Sequence, residues 1–501
     1  LALIFKGGTS LYDLIIIGAG IVGCSIAREI SRYQVKTLLL EKEADVACGT
    51  SKSNSAIIHA GYDAKPGSLK ARLNVAGNLL YEKLSRELNI PLKRIGSIVV
   101  AFTPEELPVL EELYQRGLKN GAPGMRIIGQ DELRKLEPNI APEALAALYA
   151  ETGGIICPFS ATIAMAENAY QNGVEFLFNA EVSEVKVNEN GNYFLKTGRG
   201  IFESKFVVNA AGVFADELNR MAGGVPFKIT PRKGEYCLLD KEVGDLAKTI
   251  VFQVPTKMGK GILVTPTVHG NLLIGPNAND IEDKEDTATT ADGLKQVMEG
   301  ALKAFPGIQF SKIITSFAGL RAVPDGEDFI IGPVSGSQKW INAAGIESPG
   351  FTSAPAIAQL VCDQLKSGGL QLKEKRKFNP YREPLFTFSE LSLKEQQELI
   401  AKKPEYGRVI CRCETITEGE ILDAIRRPLG ARDVDGVKRR VRAGAGRCQG
   451  GFCQPRVAAI LAGEFQSPLN RVTKFGRQSR ILDGPTKAPG ASEGGKPNGK
   501  L

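Results

Sequence analysis

The sequence predicts an α/β protein in three parts: a Rossmann-like dinucleotide-binding domain, an antiparallel-sheet domain inserted into it, and a small, mainly helical domain near the C-terminus. Three observations carry that prediction. Residues 13–41 read as strand, glycine-rich turn, helix, strand and acid. Residues 225–315 alternate short apolar stretches with turns. Four of the nine cysteines fall in two tight pairs beyond residue 410.

The first part is the most explicit. Residues 14–17 are a β-branched apolar run, as a strand buried on both faces requires. Gly18, Gly20 and Gly23 follow in the pattern G-x-G-x-x-G, and Val22, Ile26, Ile30 and Tyr33 then recur at helical spacing. Residues 37–40 form a second apolar strand that ends at Glu41. Gly18 permits the tight turn, Gly20 admits a pyrophosphate to the backbone, and Gly23 lets helix and strand pack closely. The helix start offers N–H groups to phosphate oxygens, and Glu41 is placed to accept hydrogen bonds from a ribose.

This motif alone does not separate NAD from FAD. Downstream, residues 47–63 (ACGTSKSNSAIIHAGYD) are a run of small polar residues that turns apolar. Two apolar strands then end in nearly the same loop, FVVNAAGVFAD at 206–216 and WINAAGIESPGFTSAP at 340–355. A ligand contacted near residues 18, 50, 212 and 347 is an extended one, which suits FAD better.

GAGIVG, GTSKSNSAIIHAGYDAKPGSLKA, VVNAAGVFAD, FAGLRAVPDGEDFIIG and NAAGIESPGFTSAPAIA together resemble the D-amino-acid-oxidase-type flavoprotein superfamily. Within it they are most similar to glycerol-3-phosphate dehydrogenases and oxidases and to L-2-hydroxyglutarate dehydrogenases. The likeness spans residues 12–380. It implies FAD contacts from the three motif glycines and Glu41, and from Thr50, Ser51, Asn54 and Ser55. It implies others from Ala211 and Gly212, and from Gly345, Glu347, Ser348, Gly350, Phe351 and Thr352. Such enzymes oxidise a C–H bond beside OH or NH by hydride transfer to the flavin. His59 lies where the glycerol-3-phosphate enzymes carry a histidine near the flavin, and imidazole has a suitable ordinary pKa for a general base. Arg321, in FAGLRAVPDG, matches the family's substrate-binding arginine, whose planar fork suits carboxylate or phosphate. Lys260, with Lys257 as its rival, is a second candidate cation, and Ser348 resembles a position near flavin and substrate phosphate. His269, in the turn VHGN between two strands, reads as structural or surface.

The expected boundaries follow. The flavin-dependent part occupies 12–375, with FAD-binding segments at about 12–90, 150–225 and 318–370. The substrate domain takes about 91–149 and 226–317, its strands (235–239, 261–264, 272–275) forming a sheet over the flavin face. Residues 104–137 carry two charged helical stretches. A charged, Pro-punctuated linker with one helix covers 376–404, the cysteine domain 405–470, and a Gly/Pro/Lys-rich tail 476–501 is expected to be extended or disordered.

The cysteine domain pairs Cys411-x-Cys413 with Cys448-x4-Cys453. Between them lies an amphipathic helix opened by Thr417 as N-cap, and a closing helix begins near Pro455. Four thiolates suit zinc, copper or a 2Fe–2S cluster. Zinc sites usually space both pairs by two to four residues, and the glycines of GRCQGGFC offer backbone N–H groups to cluster sulfurs. The arrangement resembles the 2Fe–2S domain of bacterioferritin-associated ferredoxin, which implies a cluster held by Cys411, Cys413, Cys448 and Cys453. A flavin takes two electrons and a cluster one, so the four cysteines are expected to be an electron exit. The basic run 438–442 (KRRVR) is either a docking patch for an acidic partner or membrane surface, or a solvated charged loop.

Charge and composition exclude little but agree with this. A formal charge of +7 over 501 residues, with no aromatic-interleaved basic stripe, does not point to nucleic acid. The opening ten residues are too short for a signal-peptide core, no apolar run is long enough to span a bilayer, and the five scattered cysteines read as reduced thiols. The expectation is a cytoplasmic enzyme, with a peripheral contact at the inner face of the membrane left open. It would take a small anionic hydroxy substrate and an electron-accepting protein or quinone. The first choice of reaction is sn-glycerol 3-phosphate to dihydroxyacetone phosphate. L-2-hydroxyglutarate or another 2-hydroxy acid is the alternative, with amino acids or amines third. A different class of function is an electron-transfer or metal-delivery subunit with a vestigial flavin fold.

Overall fold

The computed structural model describes residues 11–255, 261–476 and 478–484. The opening decapeptide, Lys257, Lys260 and most of the tail (477 and 485–501) lie outside the described residues. The chain divides into two compact units. The first comprises residues 1–386 with the short segments 427–429 and 445–449, and the second comprises the remainder.

The first unit holds two large sheets. At the centre of an eight-stranded sheet, Leu11–Ile17 runs parallel to Thr37–Leu40 on one side and to Gly200–Asn209 on the other. Ser337–Ala344 adds a further parallel neighbour, with Val207 opposite Trp340 and Asn209 opposite Asn342. Leu14, Ile15 and Ile16 are wholly buried, which explains their unbroken apolar character. Helices Ile21–Ile30, Pro158–Gln171 and Gly350–Ser367 contribute to one core. Trp340, Tyr193 and Val207 lie in another. The first helix stops at Ile30, one turn before Tyr33, because the chain turns there into the second strand.

The second sheet has nine strands. Its longest pairing is antiparallel, between Ile229–Leu239 and Ile313–Pro324. Strands Ser97–Ala101, Met125–Gly129 and Ala146–Ala150 join it from earlier in the chain. The two charged helical stretches of 104–137 are helices Leu107–Asn120 and Gln130–Leu136, which bury Leu110, Leu113 and Leu133. His269 lies in the turn between strands Leu263–Pro266 and Leu272–Gly275.

The second unit is mainly helical. Ser392 and Glu395 form a capping box at the start of helix Leu393–Lys402. A short hairpin pairs Val409–Cys411 with Ile416–Thr417, and helices Glu418–Arg426, Val434–Val441 and Gln454–Glu464 follow. Thr417 opens the first of these as expected: its hydroxyl accepts from the Glu420 N–H at 3.3 Å, and the Glu420 carboxylate accepts from the Thr417 N–H at 2.8 Å. The KRRVR run departs from both expectations. It lies in and just after helix Val434–Val441, where Arg439 and Arg440 are 5% and 6% exposed. The Arg440 Nη1 donates to the Gly436 carbonyl, and the Arg439 guanidinium lies over the Phe475 ring. Both side chains are buried, so 439 and 440 are neither a docking patch nor a solvated loop.

Helix Leu69–Leu88 packs on helix Gly350–Ser367 through Gly77, where a Cβ would stand 2.1 Å from the Thr352 carbonyl oxygen. Gly77→Ala must therefore push the two helices apart. It is expected to lower stability by about 1–3 kcal/mol, read as a fall in urea midpoint with unchanged slope.

Candidate active site

The nucleotide end of the site is built by close backbone approach. Gly18 has φ +104°, and a Cβ there would stand 2.5 Å from the Ala210 carbonyl oxygen. A Cβ on Gly23 would stand 1.9 Å from the Gly18 oxygen, so the first helix can seat against its turn only with glycine at both places. The N-cap of that helix is Gly20, which has no side chain to cap it, and its first turn carries no acid. Glu41, almost fully buried, accepts from the Ala19 N–H at 2.6 Å and the Glu43 N–H at 2.9 Å. Burial pushes its pKa up, and these two N–H groups pull against that shift. An extended dinucleotide such as FAD fits this cradle, because the glycine turn leaves a helix N-terminus open to phosphates beside a fixed carboxylate.

The loop after Gly49 reaches both sheets. The Ser51 hydroxyl accepts from the Ile21 N–H at 2.8 Å, and Thr50 Oγ1 donates to the Leu320 carbonyl at 2.5 Å. Ser55 Oγ lies 3.4 Å from the Tyr236 hydroxyl. Asn54 turns inward: its Nδ2 donates to the carbonyls of Thr50 and Ser51, and its Oδ1 accepts from the Ala56 N–H. Its amide thus shapes the loop.

His59 follows this loop at the end of the short strand Ile57–Ile58. Thr352, wholly buried, donates its hydroxyl proton to the Ile57 carbonyl at 3.2 Å, and its oxygen accepts the His59 N–H at 3.0 Å. Asn78 Nδ2 donates to the His59 carbonyl at 2.9 Å. The imidazole stacks on Phe252, with ring centres 5.9 Å apart, and its Nε2 stands 3.5 Å from Ser348 Oγ. His59, Ser348 and Thr352 therefore come together as the sequence predicts. Phe252 and Asn78, which fix the ring and its backbone, were not singled out. Asn78 was legible only as a polar residue inside an otherwise amphipathic helix.

The start of helix Gly350–Ser367 completes this wall. Phe351 stacks on Tyr81, whose hydroxyl donates to the Phe351 carbonyl at 2.7 Å. Glu347 is held by Lys70, Nζ to Oε1 2.7 Å. Gly345 and Gly212 have φ of +64° and +58°, the left-handed region that lets their loops turn back. A Cβ on Gly350 would meet the Ile346 side chain at 2.5 Å. Ala211 N–H reaches Asn209 Oδ1 at 3.4 Å, and Asn209 Nδ2 donates to Asn342 Oδ1 at 3.0 Å. The two similar loops are therefore neighbours, tied through their matching asparagines.

Arg321 sits on strand Ile313–Pro324, opposite Arg232. On the same sheet face Gly234 opposes Gly319, and Tyr236 stacks on Phe317 with ring centres 4.8 Å apart. Ser53 packs directly on Gly319, where a Cβ would stand 1.9 Å from its carbonyl oxygen. Arg321 Nη2 donates to the Asn277 carbonyl at 2.6 Å, while its buried Nε has no partner among the described residues. Arg232 is closed by a bidentate pair with Asp280 at 2.6 and 3.0 Å, and Lys233 by Asp286 at 2.8 Å. Arg321 has no carboxylate partner among the described residues.

Among the cysteines, Cys411 and Cys453 are buried, Cys448 is half-buried and Cys413 is exposed. No disulfide joins any of the nine among the described residues. The Cys453 thiol and the N–H groups of Gly444 and Glu414 converge on the Cys411 sulfur and draw its pKa down to about 6. By contrast, burial raises the thiols of Cys24, Cys362 and Cys237, the last to about 11. A sulfur ringed by backbone donors fits a cluster-bound thiolate. No group of three or more His, Cys, Asp or Glu side chains stands in a metal-holding arrangement among the described residues. No helix is long and apolar enough to cross a membrane among the described residues.

Comparison with known proteins gives two family matches. The FAD dependent oxidoreductase family matches residues 13–364, and the BFD-like [2Fe-2S] binding domain matches residues 409–463. A glycerol 3-phosphate dehydrogenase of Caloramator mitchellensis is 51% identical over 95% of this chain and 99% of its own length. A glycerol 3-phosphate oxidase of Mycoplasma genitalium is 36% identical over 74% of this chain and 97% of its own length. Among solved structures, the L-alpha-glycerophosphate oxidase of Mycoplasma pneumoniae with FAD bound has a TM-score of 0.72 at 33% identity. It covers 75% of this chain and all of that one.

Glu41→Gln would face one of the two backbone N–H donors with an amide NH2. It is expected to cost about 1–3 kcal/mol of stability. It should also lower the fraction of FAD retained through gel filtration, read as the ratio of flavin to protein absorbance.

Proposed function

The chain belongs to the FAD dependent oxidoreductase family, and from that premise we propose that it oxidises sn-glycerol 3-phosphate to dihydroxyacetone phosphate and passes the electrons out through a 2Fe–2S cluster. It is an enzyme of the glycerol-3-phosphate dehydrogenase type, with FAD and a BFD-like 2Fe–2S domain as its cofactor equipment. FAD, when bound, accepts the hydride from the carbinol carbon, and the cluster accepts electrons singly. The carrying observation is a fixed imidazole, stacked on Phe252 and 3.5 Å from Ser348 Oγ, in a chain that also offers Arg321 with no carboxylate partner among the described residues.

The protein's own groups divide the rest of the work. Arg321 holds the substrate phosphate with a guanidinium whose Nη2 is already anchored on the Asn277 carbonyl. His59 takes the hydroxyl proton as the hydride leaves the same carbon, so the alcohol loses two electrons and two hydrogens and becomes a ketone. Phe252 stacks on the ring, the Thr352 hydroxyl holds its backbone N–H, and Ser348 is within reach of its Nε2. Lys260, outside the described residues, is retained as a second phosphate contact.

The electron exit rests on the four cysteines and on the BFD-like [2Fe-2S] match over residues 409–463.

Anaerobic titration tests the substrate. Glycerol 3-phosphate should bleach the flavin, and L-2-hydroxyglutarate should leave it oxidised; the reverse result replaces this reading with the hydroxy-acid one. His59→Ala should slow flavin reduction by about 10²–10⁴-fold while FAD stays bound. Cys413→Ser should reduce its flavin at the normal rate yet fail to pass electrons to the natural acceptor, and a variant that still does so refutes the exit.

A further inference from the structure

The geometry points to Glu235 and Asn277 as a positioning pair that sets the direction of the Arg321 fork and thereby the enzyme's affinity for an anionic substrate; this rests on the proposed phosphate-binding role of Arg321. Glu235 and Arg321 sit on opposite faces of the sheet, because Glu235 is three residues from Arg232, the cross-strand partner of Arg321. Asn277 lies in the link between strands Leu272–Gly275 and Asn279–Asp280, both paired with Ile229–Leu239, and bonds to residues of both faces.

The link is a closed set of hydrogen bonds. Asn277 Oδ1 accepts the Glu235 N–H at 2.8 Å, and Asn277 Nδ2 donates to Glu235 Oε2 at 2.9 Å. The Asn277 backbone carbonyl then accepts from Arg321 Nη2 at 2.6 Å. Behind Asn277, Glu235 is fully buried. Its Oε1 accepts both the N–H and the hydroxyl of Thr290, the residue that caps helix Ala291–Leu302 through the Gly293 N–H. Gly293 leaves room for this: a Cβ there would stand 1.5 Å from Glu235 Oε2. Every donor that meets the carboxylate is therefore anchored, and Asn277 has one available pose.

That pose decides what Arg321 can bind. One nitrogen is spent on a neutral carbonyl, so the charge stays whole and Nε remains buried with no partner among the described residues. The neighbouring cations are removed from the contest, Arg232 by Asp280 and Lys233 by Asp286. The like-charged opposition of Arg232 and Arg321 is relieved by the same Asp280 pairing. A fork anchored at Nη2 by a carbonyl, with no carboxylate partner among the described residues, meets an anion from a fixed direction.

The test uses the polarity of the pair. Glu235→Gln sets an amide NH2 against a donor, and Asn277→Asp sets a carboxylate against a carboxylate. Combined, Glu235→Gln with Asn277→Asp restores a donor facing an acceptor. In the FAD-loaded full chain, each single variant should raise KM for glycerol 3-phosphate at least about tenfold with kcat changed less than about threefold. Flavin reduction by glycerol, which has the same carbons and no anion, should be unchanged. The double variant should recover most of the lost affinity and the melting temperature. If the singles do not fold, the double alone decides: near-normal KM supports the pair, and a persistently raised KM or an unfolded chain overturns it. Equal losses with glycerol and glycerol 3-phosphate mark a merely structural role and also overturn it. Arg321→Ala separates the two readings. An unchanged KM there removes the phosphate-binding role and this inference with it. A raised KM there, with normal KM in the Glu235 and Asn277 variants, removes the positioning role alone.

Discussion

The Thr352 hydroxyl is the joint on which the candidate site turns. It is wholly buried, gives its proton to the Ile57 carbonyl and receives the His59 N–H. Through it the first turn of a helix that begins near residue 350 is locked to a strand three hundred residues earlier. The Thr352–Ile57 bond is buried, so leaving that hydroxyl unmet would carry the cost of a buried polar group. Gly77 keeps that helix turn close by removing its own side chain from the contact. The imidazole is thus fixed at its backbone by two elements, and at its ring by Phe252. A base held this way does not have to be ordered when substrate arrives.

Electrostatics on the neighbouring sheet follow the same economy. Three cations crowd one end of a strand pair, and two are neutralised by acids from a single stretch, 280–286. The third is held by a carbonyl, which orients it without discharging it. The same stretch sends Lys284 to Asp216 and Glu217, and Glu285 to Lys42, beside the loop that carries Ala211 and Gly212 and beside Glu41. A short acidic and basic ribbon therefore spans from the nucleotide cradle to the substrate arginine. Most of these pairs are partly exposed, so their worth lies more in registering the ribbon than in raw stability.

Much of this was legible from residues alone, for identifiable reasons. The strand, glycine turn, helix and acid of 13–41 announce themselves because each glycine has a steric necessity that no other residue satisfies. The repeated NAAG loops were visible as similar words, and the structure supplies the reason: Asn209 and Asn342 bond to each other across adjacent parallel strands. The sequence misled where a charged residue's stem outweighed its head. KRRVR reads as surface, yet on an amphipathic helix two of its arginines point inward and find a carbonyl and an aromatic ring. Phe252, Asn277 and Glu235 could not be picked out, because their roles arise from strand pairing between segments far apart in the chain.

The long pairing of Ile229–Leu239 with Ile313–Pro324 carries a consequence for how relatives of this chain can diverge. Side chains alternate between faces, so slipping one strand by a single residue would swing Arg321 away from the loop that meets Gly319 and bury a charge in the core. The one irregularity in the ladder falls at Leu238 and Leu239, the end remote from Arg321. Insertions and deletions can accumulate beyond that bulge without disturbing the arginine, whereas the span from Ile229 to Cys237 tolerates substitutions but no change of length.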